Sequence, residues 1–554
     1  MSKNIFFRTI LNYSRSIKTA RIIVYHQNYD HHKRGNESSR GIHTKIATAL
    51  FGTVLIGSAI RDKLDIKNEE STSDGKNNKC FEAGVKRPDL PTYRAEEVST
   101  HDNKSSFWVT YKHGVYDVTE LLPSHPGGEQ ILNAGGYSIE PFWNVYGMHK
   151  TEEVYRLLEK YRIGNLHDDD IVDHSGDELW AKEPARDKRL IVKTAKPFNA
   201  EIPPKYQIEH FDTPNELFYV RQHMPVPELD AKQHSVKVIM RNGSTKVRQF
   251  SLEELEQFGR VEVRAALMCA GNRRSEMNKV KDVKGISWAG GAISNAVWSG
   301  VYLRDVLKHC GVDLRDTRGK HVILAGSDVD ATGEQFSTSI PLSLAADEGA
   351  QVLLATHMNG LPLPPDHGYP LRAVVPGAPA VRSVKWLESI TVSEDESGSH
   401  WHQKDYRGFN PSVTWETADF GSAPPVYSLP VTSQACEPTD GEAVRPRDGR
   451  VRVRGYAYSG GGARVLRVDV SADRGRTWLA ATLTAADDAP PRRHYSWTLW
   501  EALVPAPPHL HEMEIWVKAT DSNFNTQPEN FEDIWNIRGL LANAYHKIKI
   551  KLLH

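Results

Sequence analysis

The stretch Leu121–Leu132 reads LLPSHPGGEQIL, and a second histidine follows 24 residues after His125, within NVYGMHKTEEV (Asn144–Val154). The proline and paired glycines after His125 bend the chain and let the backbone approach a flat partner closely. Around them, short apolar strands such as FWVTY alternate with the helical stretch TEEVYRLLEKYRIG. This pattern predicts one small α+β domain over residues 88–166, with the two histidines facing a crevice.

His125 and His149 are candidate axial ligands of a haem iron. Two neutral imidazoles on opposite faces give a six-coordinate iron, which suits electron transfer rather than oxygen chemistry. A lone histidine is more often a surface or core residue, and HPGG by itself could be only a turn. Apolar neighbours that could line the crevice are Leu121, Leu122, Ile131, Leu132 and Phe142. The segment Tyr93–Leu166 resembles the cytochrome b5 family, which implies haem b as a cofactor held by these two histidines.

The bulk composition limits the classes of partner. With 554 residues the chain is too long for one core, so several domains are expected. The 69 basic and 70 acidic residues nearly cancel, and this balance argues against nucleic acid and anionic membranes as partners. The cysteines form no CxxC pair, so neither a disulfide framework nor a zinc ribbon is supported. They are Cys80, Cys269, Cys310 and Cys436.

The N-terminal segment has the pattern of a targeting sequence. Basic residues occur throughout residues 1–29, and no acidic residue precedes Asp30, as in a mitochondrial presequence. The apolar run Ile46–Ile60 is shorter than the roughly 20 residues that a membrane-spanning helix needs. We therefore interpret residues 1–60 as a presequence and sorting segment that directs the protein to the mitochondrial intermembrane space without a stable span in the mature chain. An uncleaved membrane anchor is the alternative.

The remaining chain divides by composition. A polar linker (61–87) precedes the first domain, and an acidic hinge (167–196) follows it. Residues 197–395 mix strands and helices without a repeat, which predicts a second α+β domain. From 396 to 554, runs such as VRVRGYAYSGGGARVLRVDVS alternate with period two between glycine-rich turns and predict a β-sandwich.

Cys269 lies in the unusual sequence LMCAGNRRSEM (Leu267–Met277). Arginines at 273 and 274 would lower the pKa of the thiol and favour a thiolate, which is a good ligand for a soft metal. From the residue alone, a structural cysteine in a core strand is the stronger interpretation. The neighbouring motifs favour the metal ligand instead.

Those motifs are FYVRQHMPVP, WAGGAISNAVWSGVYLRDVL, DVDATG, DHGYPLRAVVPG, SVKWL and SHWHQKDYRGF. Together they resemble the sulfite oxidase family from about residue 90 to the C-terminus. The resemblance implies an α+β multidomain fold with a mixed molybdopterin domain and a C-terminal immunoglobulin-like dimerisation domain. It further implies that Cys269 ligates a molybdenum atom carrying one molybdopterin.

The resemblance also implies a set of cofactor contacts. These are Tyr219, Val220, Arg221, Gln222, His223, Asp328, His367, Arg372, Ser383, Val384 and Lys385. Many family members carry Asn and His where this chain has Gln222 and Ser383, so these two positions depart from the family pattern. A hydrogen bond from the backbone of either residue to the cofactor could survive the change of side chain.

Sulfite is a small dianion, and arginine offers the planar, multidentate donors that such an anion needs. By resemblance the anion-binding residues are Arg221, Arg274 and Arg538, with Trp288 as a wall and the Tyr406 hydroxyl at the metal. The family implies oxidation of sulfite to sulfate, with electrons returned singly through the haem to cytochrome c. The resemblance of RVDVSADRGRTWLAA to the dimerisation domain implies a homodimer, and a monomeric cap is the alternative.

Two other functions fit parts of the sequence. A nitrate reductase would share both redox modules but needs a flavin and nicotinamide domain after the haem, whereas here the haem module comes first. A haem carrier whose large domain has lost its metal would have no need of Cys269, Arg221, Arg274 and Tyr406. Molybdenum content separates that possibility from an oxidase.

Overall fold

The structure is a computed structural model of the chain. It describes residues 82–125, 128–146, 149–172, 180–242, 244–330, 333–485 and 489–553. The predicted presequence and sorting segment (1–60) and most of the predicted linker lie outside these residues. Within the described ranges, no helix combines the length and apolar character required to span a bilayer.

The N-terminal domain is a small sheet with helices packed on it. Its strands are β1 (Thr92–Tyr93), β2 (Asp102–Asn103), β3 (Ser106–Tyr111), β4 (Gly114–Asp117) and β5 (Arg162–Leu166). The sheet runs in the order β1-β5-β4-β3-β2, with β1 parallel to β5. Its helices are α1 (Ala95–Val98), α2 (Glu140–Val145) and α3 (Glu152–Glu159), with 3₁₀ turns at Thr119–Ser124, Gly128–Ala134 and Asp168–Asp170. Alternate residues of β3 point inward, so Phe107 and Val109 share a core with Trp143.

The central domain contains sheets that surround one large hydrophobic core. A short sheet has the order β6-β7-β8, a second β10-β9-β18-β13-β14, and a third β11-β12-β15-β16 with β17 added to β15. The strands are β6 (Ile191–Ala195), β7 (Phe198–Glu201), β8 (Val220–Arg221), β9 (Ser235–Asn242), β10 (Ser244–Ser251), β11 (Val261–Met268), β12 (Ile293–Tyr302), β13 (His321–Val329), β14 (Gln335–Pro341), β15 (Leu353–Met358), β16 (Leu361–Pro362), β17 (Arg372–Val374) and β18 (Leu387–Ser393). Strand β6 occupies the end of the predicted hinge.

The helices of the central domain are short. They are α4 (Pro204–Gln207), α5 (Leu252–Glu256), α6 (Arg274–Asn278), α7 (Leu303–His309) and α8 (Leu342–Ala346), with 3₁₀ turns at Asn215–Leu217, Pro365–His367 and Ala380–Arg382 and a π turn at Trp401–Asp405. Helix α5 begins with a capping box, in which Ser251 and Glu254 satisfy each other's backbone N–H groups. The described part of the central domain therefore contains many turns and no long helix.

The C-terminal domain is the predicted sandwich. Its strands are β19 (Thr432–Glu437), β20 (Ala443–Val444), β21 (Arg450–Tyr458), β22 (Val465–Ser471), β23 (Leu479–Ala480), β24 (Thr482–Ala485), β25 (Thr498–Pro505), β26 (Glu512–Asp521) and β27 (His546–Leu552), with a 3₁₀ turn at Glu532–Ile534. One sheet has the order β19-β21-β25-β24 and the other β20-β27-β26-β22-β23. Val453 and Ile515, from opposite sheets, belong to one buried cluster. The turn between β21 and β22 needs glycine, because a Cβ on Gly462 would lie 2.1 Å from the Arg492 carbonyl oxygen.

Arg273 joins the central and C-terminal domains. Its backbone is left-handed, with φ at 62°, and its side chain is fully buried. The guanidinium donates to both carboxylate oxygens of Glu276, at 2.7 and 2.9 Å, and to the carbonyls of Ala544 and Tyr545. Burial raises the pKa of Glu276, but the charge and hydrogen bonds of Arg273 outweigh burial, so its pKa lies below the usual value. This ion pair therefore stabilises the joint through both charge and backbone contacts.

We expect Arg273→Met to lower the free energy of unfolding by about 3 kcal/mol, because it removes a fully buried guanidinium and leaves the partly buried Glu276 carboxylate unpaired. Because the pKa of the Glu276 carboxyl is lower in the folded than in the unfolded chain, the ion pair stabilises the fold at pH values above the unfolded pKa of about 4.3. This contribution is lost as pH falls through the folded pKa. The variant should consequently lose less stability on acidification than the parent. Denaturation followed by tryptophan fluorescence at pH 7 and below pH 4.3 measures both effects. Arg315→Met, at a side chain that is 92% exposed, is the control and should change neither.

Candidate functional site

A cavity in the central domain brings together most of the predicted site residues. It contains about 720 Å³ of space between atoms, its open mouth included. Its walls come from β8, the turn after β11, the end of β13, the 3₁₀ turns before and after β17, and the π turn. The lining residues are Phe218, Tyr219, Arg221, Gln222, His223, Leu267, Cys269, Ala270, Asp328, Phe336, Asp366, His367, Arg372, Ala380, Val381, Ser383, Val384, Lys385, Trp386 and Tyr406.

Cys269 is buried at the point where β11 leaves its sheet. Met268 pairs with Ile293 of β12, and the Cys269 amide then donates to the Ala292 carbonyl at 2.9 Å. Asn272 closes the turn, because its side-chain oxygen accepts from the Ala292 amide and its side-chain nitrogen donates to the Tyr456 hydroxyl. The thiol is therefore held in the cavity wall by backbone geometry.

The two arginines after this turn point in different directions. Arg274 lies close enough to Cys269 for their charges to interact, whereas the Arg273 guanidinium is occupied by Glu276 and C-terminal carbonyls. The sequence-based expectation that both arginines favour a thiolate is therefore wrong for Arg273. Its left-handed backbone turns the side chain away from the cavity and toward the C-terminal domain.

The three arginines predicted to bind an anion converge near Cys269. Arg274 is buried and donates to the carbonyls of Ile286, Arg538 and Gly539. Burial lowers its pKa to about 10, with repulsion from Arg538 and Arg221 adding to the effect. Cations held this close together favour an anion between them. Neither Arg274 nor Arg538 lines the cavity itself.

Neighbouring groups hold Arg221 and Arg538, and Trp288, the predicted wall of the anion site, lies in the core. Arg221 donates to the Asn199 side chain at 3.3 Å and to the Gln222 carbonyl. Arg538 forms a 2.6 Å ion pair with Asp405, which precedes Tyr406. Trp288 is fully buried in the same cluster as Cys269 and is not a lining residue.

Two cations in the cavity, buried Arg372 and partly buried Lys385, could hold an anionic cofactor. Arg372 donates to the carbonyls of His367 and Ser383, and Lys385 donates to the Asp366 carbonyl. Burial lowers the pKa of Arg372 to about 10 and that of Lys385 to about 7, so each lacks the solvation that its charge needs. A phosphate in the cavity would supply the missing counter-charge.

Unpaired oxygens in the same cavity also fit a hydrogen-bonding cofactor. The side-chain oxygen Oε1 of Gln222 and Oδ1 of Asp328 are buried and have no protein partner. Burial raises the pKa of Asp328. Ser383 accepts from the Val375 amide, whereas Val220 is buried outside the lining. The donors and acceptors present therefore match a pterin bearing a phosphate.

Asp366 is a cavity residue that the sequence analysis missed. Its carboxylate accepts from Gln222 at 2.6 Å and from Arg186, a residue of the predicted hinge, at 2.8 and 3.0 Å. Its position beside His367 in DHGYPLR was a signal for it. The partner was not visible in sequence, because Arg186 lies 180 residues away.

The N-terminal domain places its two candidate haem ligands close together with their ring planes parallel. The rings of His125 and His149 have centroids 6.0 Å apart and planes within 5° of each other. Metal–imidazole bonds of about 2 Å on opposite sides of one ion put the ring centroids at about this separation. Nδ1 of His149 lies 2.9 Å from the Tyr146 carbonyl, so Nδ1 carries the proton and Nε2 is left for a metal. The pair therefore fits an axially ligated haem.

Comparisons with known proteins agree with both sites. Residues 94–167 match the cytochrome b5-like heme/steroid binding domain, residues 223–401 the oxidoreductase molybdopterin binding domain, and residues 423–553 the Mo-co oxidoreductase dimerisation domain. Mitochondrial sulfite oxidase of Drosophila melanogaster is 48% identical over 84% of this chain and 82% of its own length. This chain belongs to the sulfite oxidase family. The Homo sapiens and Gallus gallus family members are each 46% identical over 83% of this chain, and the alignments cover 84% and 100% of theirs.

Membership of the sulfite oxidase family confirms the predicted fold class and the predicted cofactors, molybdenum–molybdopterin and haem b. The sulfane dehydrogenase SoxCD of Paracoccus pantotrophus, with a TM-score of 0.53 and 23% identity over 69% of this chain and 90% of its own, shares the fold. A nitrate reductase of Phaseolus vulgaris is 36% identical over 72% of this chain but only 46% of its own length. The individual site residues remain predictions that the geometry supports.

We expect Lys385→Met to reduce the molybdenum content of the purified protein at least several-fold, because it removes a partly buried cation that lines the cofactor cavity. Elemental analysis of molybdenum against haem iron measures the effect. Lys308→Met, at an exposed residue of α7, is the control and should leave the metal ratio unchanged. A fully loaded Lys385→Met variant would contradict a role in holding the cofactor.

Proposed function

We propose that this chain oxidises sulfite to sulfate in the central cavity and passes the electrons one at a time through haem b to cytochrome c. The half-reaction converts sulfite and water into sulfate, two protons and two electrons. The observation that carries the proposal is a cavity wall that contains buried Cys269 and Arg221, with Arg274 close enough to Cys269, Arg221 and Arg538 to interact with each electrostatically, on the same chain as a parallel histidine pair. We further propose that the protein is a homodimer of the mitochondrial intermembrane space.

When bound, the molybdenum cofactor supplies oxygen transfer and two-electron redox chemistry, and the haem supplies one-electron transfer. Cys269 would hold the molybdenum, because a thiolate suits a soft metal. The cavity cations Arg372 and Lys385 would hold the phosphate end of the pterin. His125 and His149 would hold the iron and keep it six-coordinate.

The protein's own contribution to the reaction is an anion site that carries a hydrogen-bond donor. Arg221 lines the cavity and can orient the dianion, whereas Arg274 and Arg538 do not line it and would offset the charge of the dianion from nearby. Burial raises the pKa of Tyr406, although Arg221 opposes the effect, so the phenol keeps its proton and can donate to a substrate oxygen. Burial also keeps His223 neutral, and its Nε2 lies 3.4 Å from the Tyr406 hydroxyl. These two groups can therefore orient the substrate without adding charge.

The proposal also includes an oligomeric state, an electron acceptor and a cellular compartment. The match of residues 423–553 to a dimerisation domain supports a two-fold interface formed by the C-terminal domain. The relatives named mitochondrial, together with the basic N-terminal segment, support import into the mitochondrion. Cytochrome c is the haem-protein acceptor that fits the proposed compartment.

Sulfite alone should reduce the haem of the purified protein, and Cys269→Ser should abolish this reduction because serine is a harder and less acidic ligand. The variant should keep its low-spin haem spectrum and still accept electrons from dithionite, since the haem ligands lie in another domain. Cys310→Ser, at a buried cysteine remote from the cavity, is the control and should lower stability without changing turnover per molybdenum. Near-normal turnover in Cys269→Ser would remove Cys269 from the active site.

Arg221→Gln should raise the KM for sulfite and lower kcat/KM by about 30-fold or more, because a lost buried charge-assisted bond costs roughly 2–5 kcal/mol. Steady-state kinetics on metal-replete protein measure the change. Arg318→Gln, at an exposed position, serves as the matched variant and should retain parental kinetics. Unchanged kinetics in Arg221→Gln would remove this residue from the anion site.

A further inference from the structure

Tyr146 belongs to the N-terminal domain by sequence but packs against the central domain. It ends helix α2, three residues before His149. Its ring contacts the large central core cluster that contains Phe336 and Trp401, rather than the core of its own domain. Burying an aromatic side chain across a domain boundary is the usual way that two surfaces are anchored to each other.

Charged groups of the central domain lie near this phenol. Asp330, Asp405 and Glu334 act on it electrostatically, as does Arg221 with the opposite sign. Asp405 in turn pairs with Arg538. The Tyr146 side chain therefore lies beside the part of the central cavity that we assign to the anion.

The backbone of Tyr146 contacts the other redox site. Its carbonyl oxygen is the hydrogen-bond acceptor for Nδ1 of His149, at 2.9 Å. A hydrogen bond to the outer nitrogen of a ligating imidazole fixes both the tautomer and the orientation of the ring. One residue thus contacts a predicted haem ligand through its backbone and the proposed sulfite site through its side chain.

A second contact holds the same helix. The indole N–H of Trp180 donates to the carbonyl of Asn144 at 2.5 Å, and both residues are buried. Trp180 lies in the predicted hinge, and the chain after it is fixed to the central domain through Glu183, which accepts from the Val226 amide, and through the Arg186–Asp366 ion pair. Helix α2 is therefore held from the connecting segment as well as from the cavity side.

We propose that Tyr146 is a positioning residue for electron transfer between the cofactors, because its ring anchors the haem domain beside the molybdenum cavity while its carbonyl oxygen orients His149. Trp180 supports this arrangement from the connecting segment. The inference rests on the proposed function for the identity of the two cofactors, and it adds the contact that sets their relative position.

The test compares Tyr146→Ala, Tyr146→Phe and Tyr137→Ala in the full-length enzyme containing both cofactors. A flash-photoreduced flavin reduces the haem, and haem absorbance then reports the rate at which the electron passes to molybdenum. Small-angle X-ray scattering gives the radius of gyration of each protein without sulfite. We expect Tyr146→Ala to slow the transfer at least about tenfold and to increase the radius, because an interface anchor is lost. Tyr146→Phe keeps the ring and should stay within about twofold of the parent.

Tyr137→Ala is the matched control, because this tyrosine of the same domain is 66% exposed, and it should change neither readout. A Tyr146→Ala protein with an unchanged low-spin haem spectrum, a parental transfer rate and a parental radius overturns the proposal. If this variant loses its haem, Trp180→Ala decides instead, because it removes the contact to Asn144 without touching His149. A parental rate and radius in Trp180→Ala would then overturn the proposal, and slower transfer with a larger radius would support it. Failure of the proposed function would be a separate outcome, because sulfite would then not reduce the haem of the parent enzyme.

Discussion

The turn that follows β11 has to present a thiol to the cavity while it sends Arg273 toward the C-terminal domain and Arg274 toward the active site. The Cys269 amide and the Asn272 side chain bind Ala292 on one side, and Asn272 also binds Tyr456 of the C-terminal sandwich. The Ala270 carbonyl accepts from the Leu541 amide on the other side. Since these contacts tie the turn both to β12 and to the C-terminal domain, its geometry depends on the packing of the two domains against each other.

This arrangement gives the C-terminal domain a role at the active site beyond that of a cap. Arg538 comes from the segment between β26 and β27, and its ion pair with Asp405 holds the end of the π turn before Tyr406. π turns often occur at functional sites, because the extra residue per turn redirects a side chain. Packing of the C-terminal domain thus contributes to the direction in which both a predicted anion ligand and the phenol point.

Buried positive charge is the second constraint on the site. Arg274 and Arg372 are buried and Lys385 is partly buried, and burial lowers the pKa of each because a cation loses solvation. Backbone carbonyls supply some compensation, but unpaired charge in a protein interior is costly. A cavity of this kind is most stable with anions inside it. The same electrostatic preference therefore favours the phosphate of the cofactor and the dianionic substrate.

The sequence by itself determined the features that depend on short spacings. HPGG with a second histidine indicated the haem domain, period-two alternation indicated the sandwich, and the motifs around Cys269 indicated the molybdopterin domain. Tertiary structure decided the orientation of Arg273 relative to Arg274, the Asp366–Arg186 pair and the burial of Tyr146 against the central domain. Local patterns reflect backbone conformation and periodicity within a few residues. Contacts between residues far apart in the chain depend instead on how whole domains pack, and no local pattern records that packing.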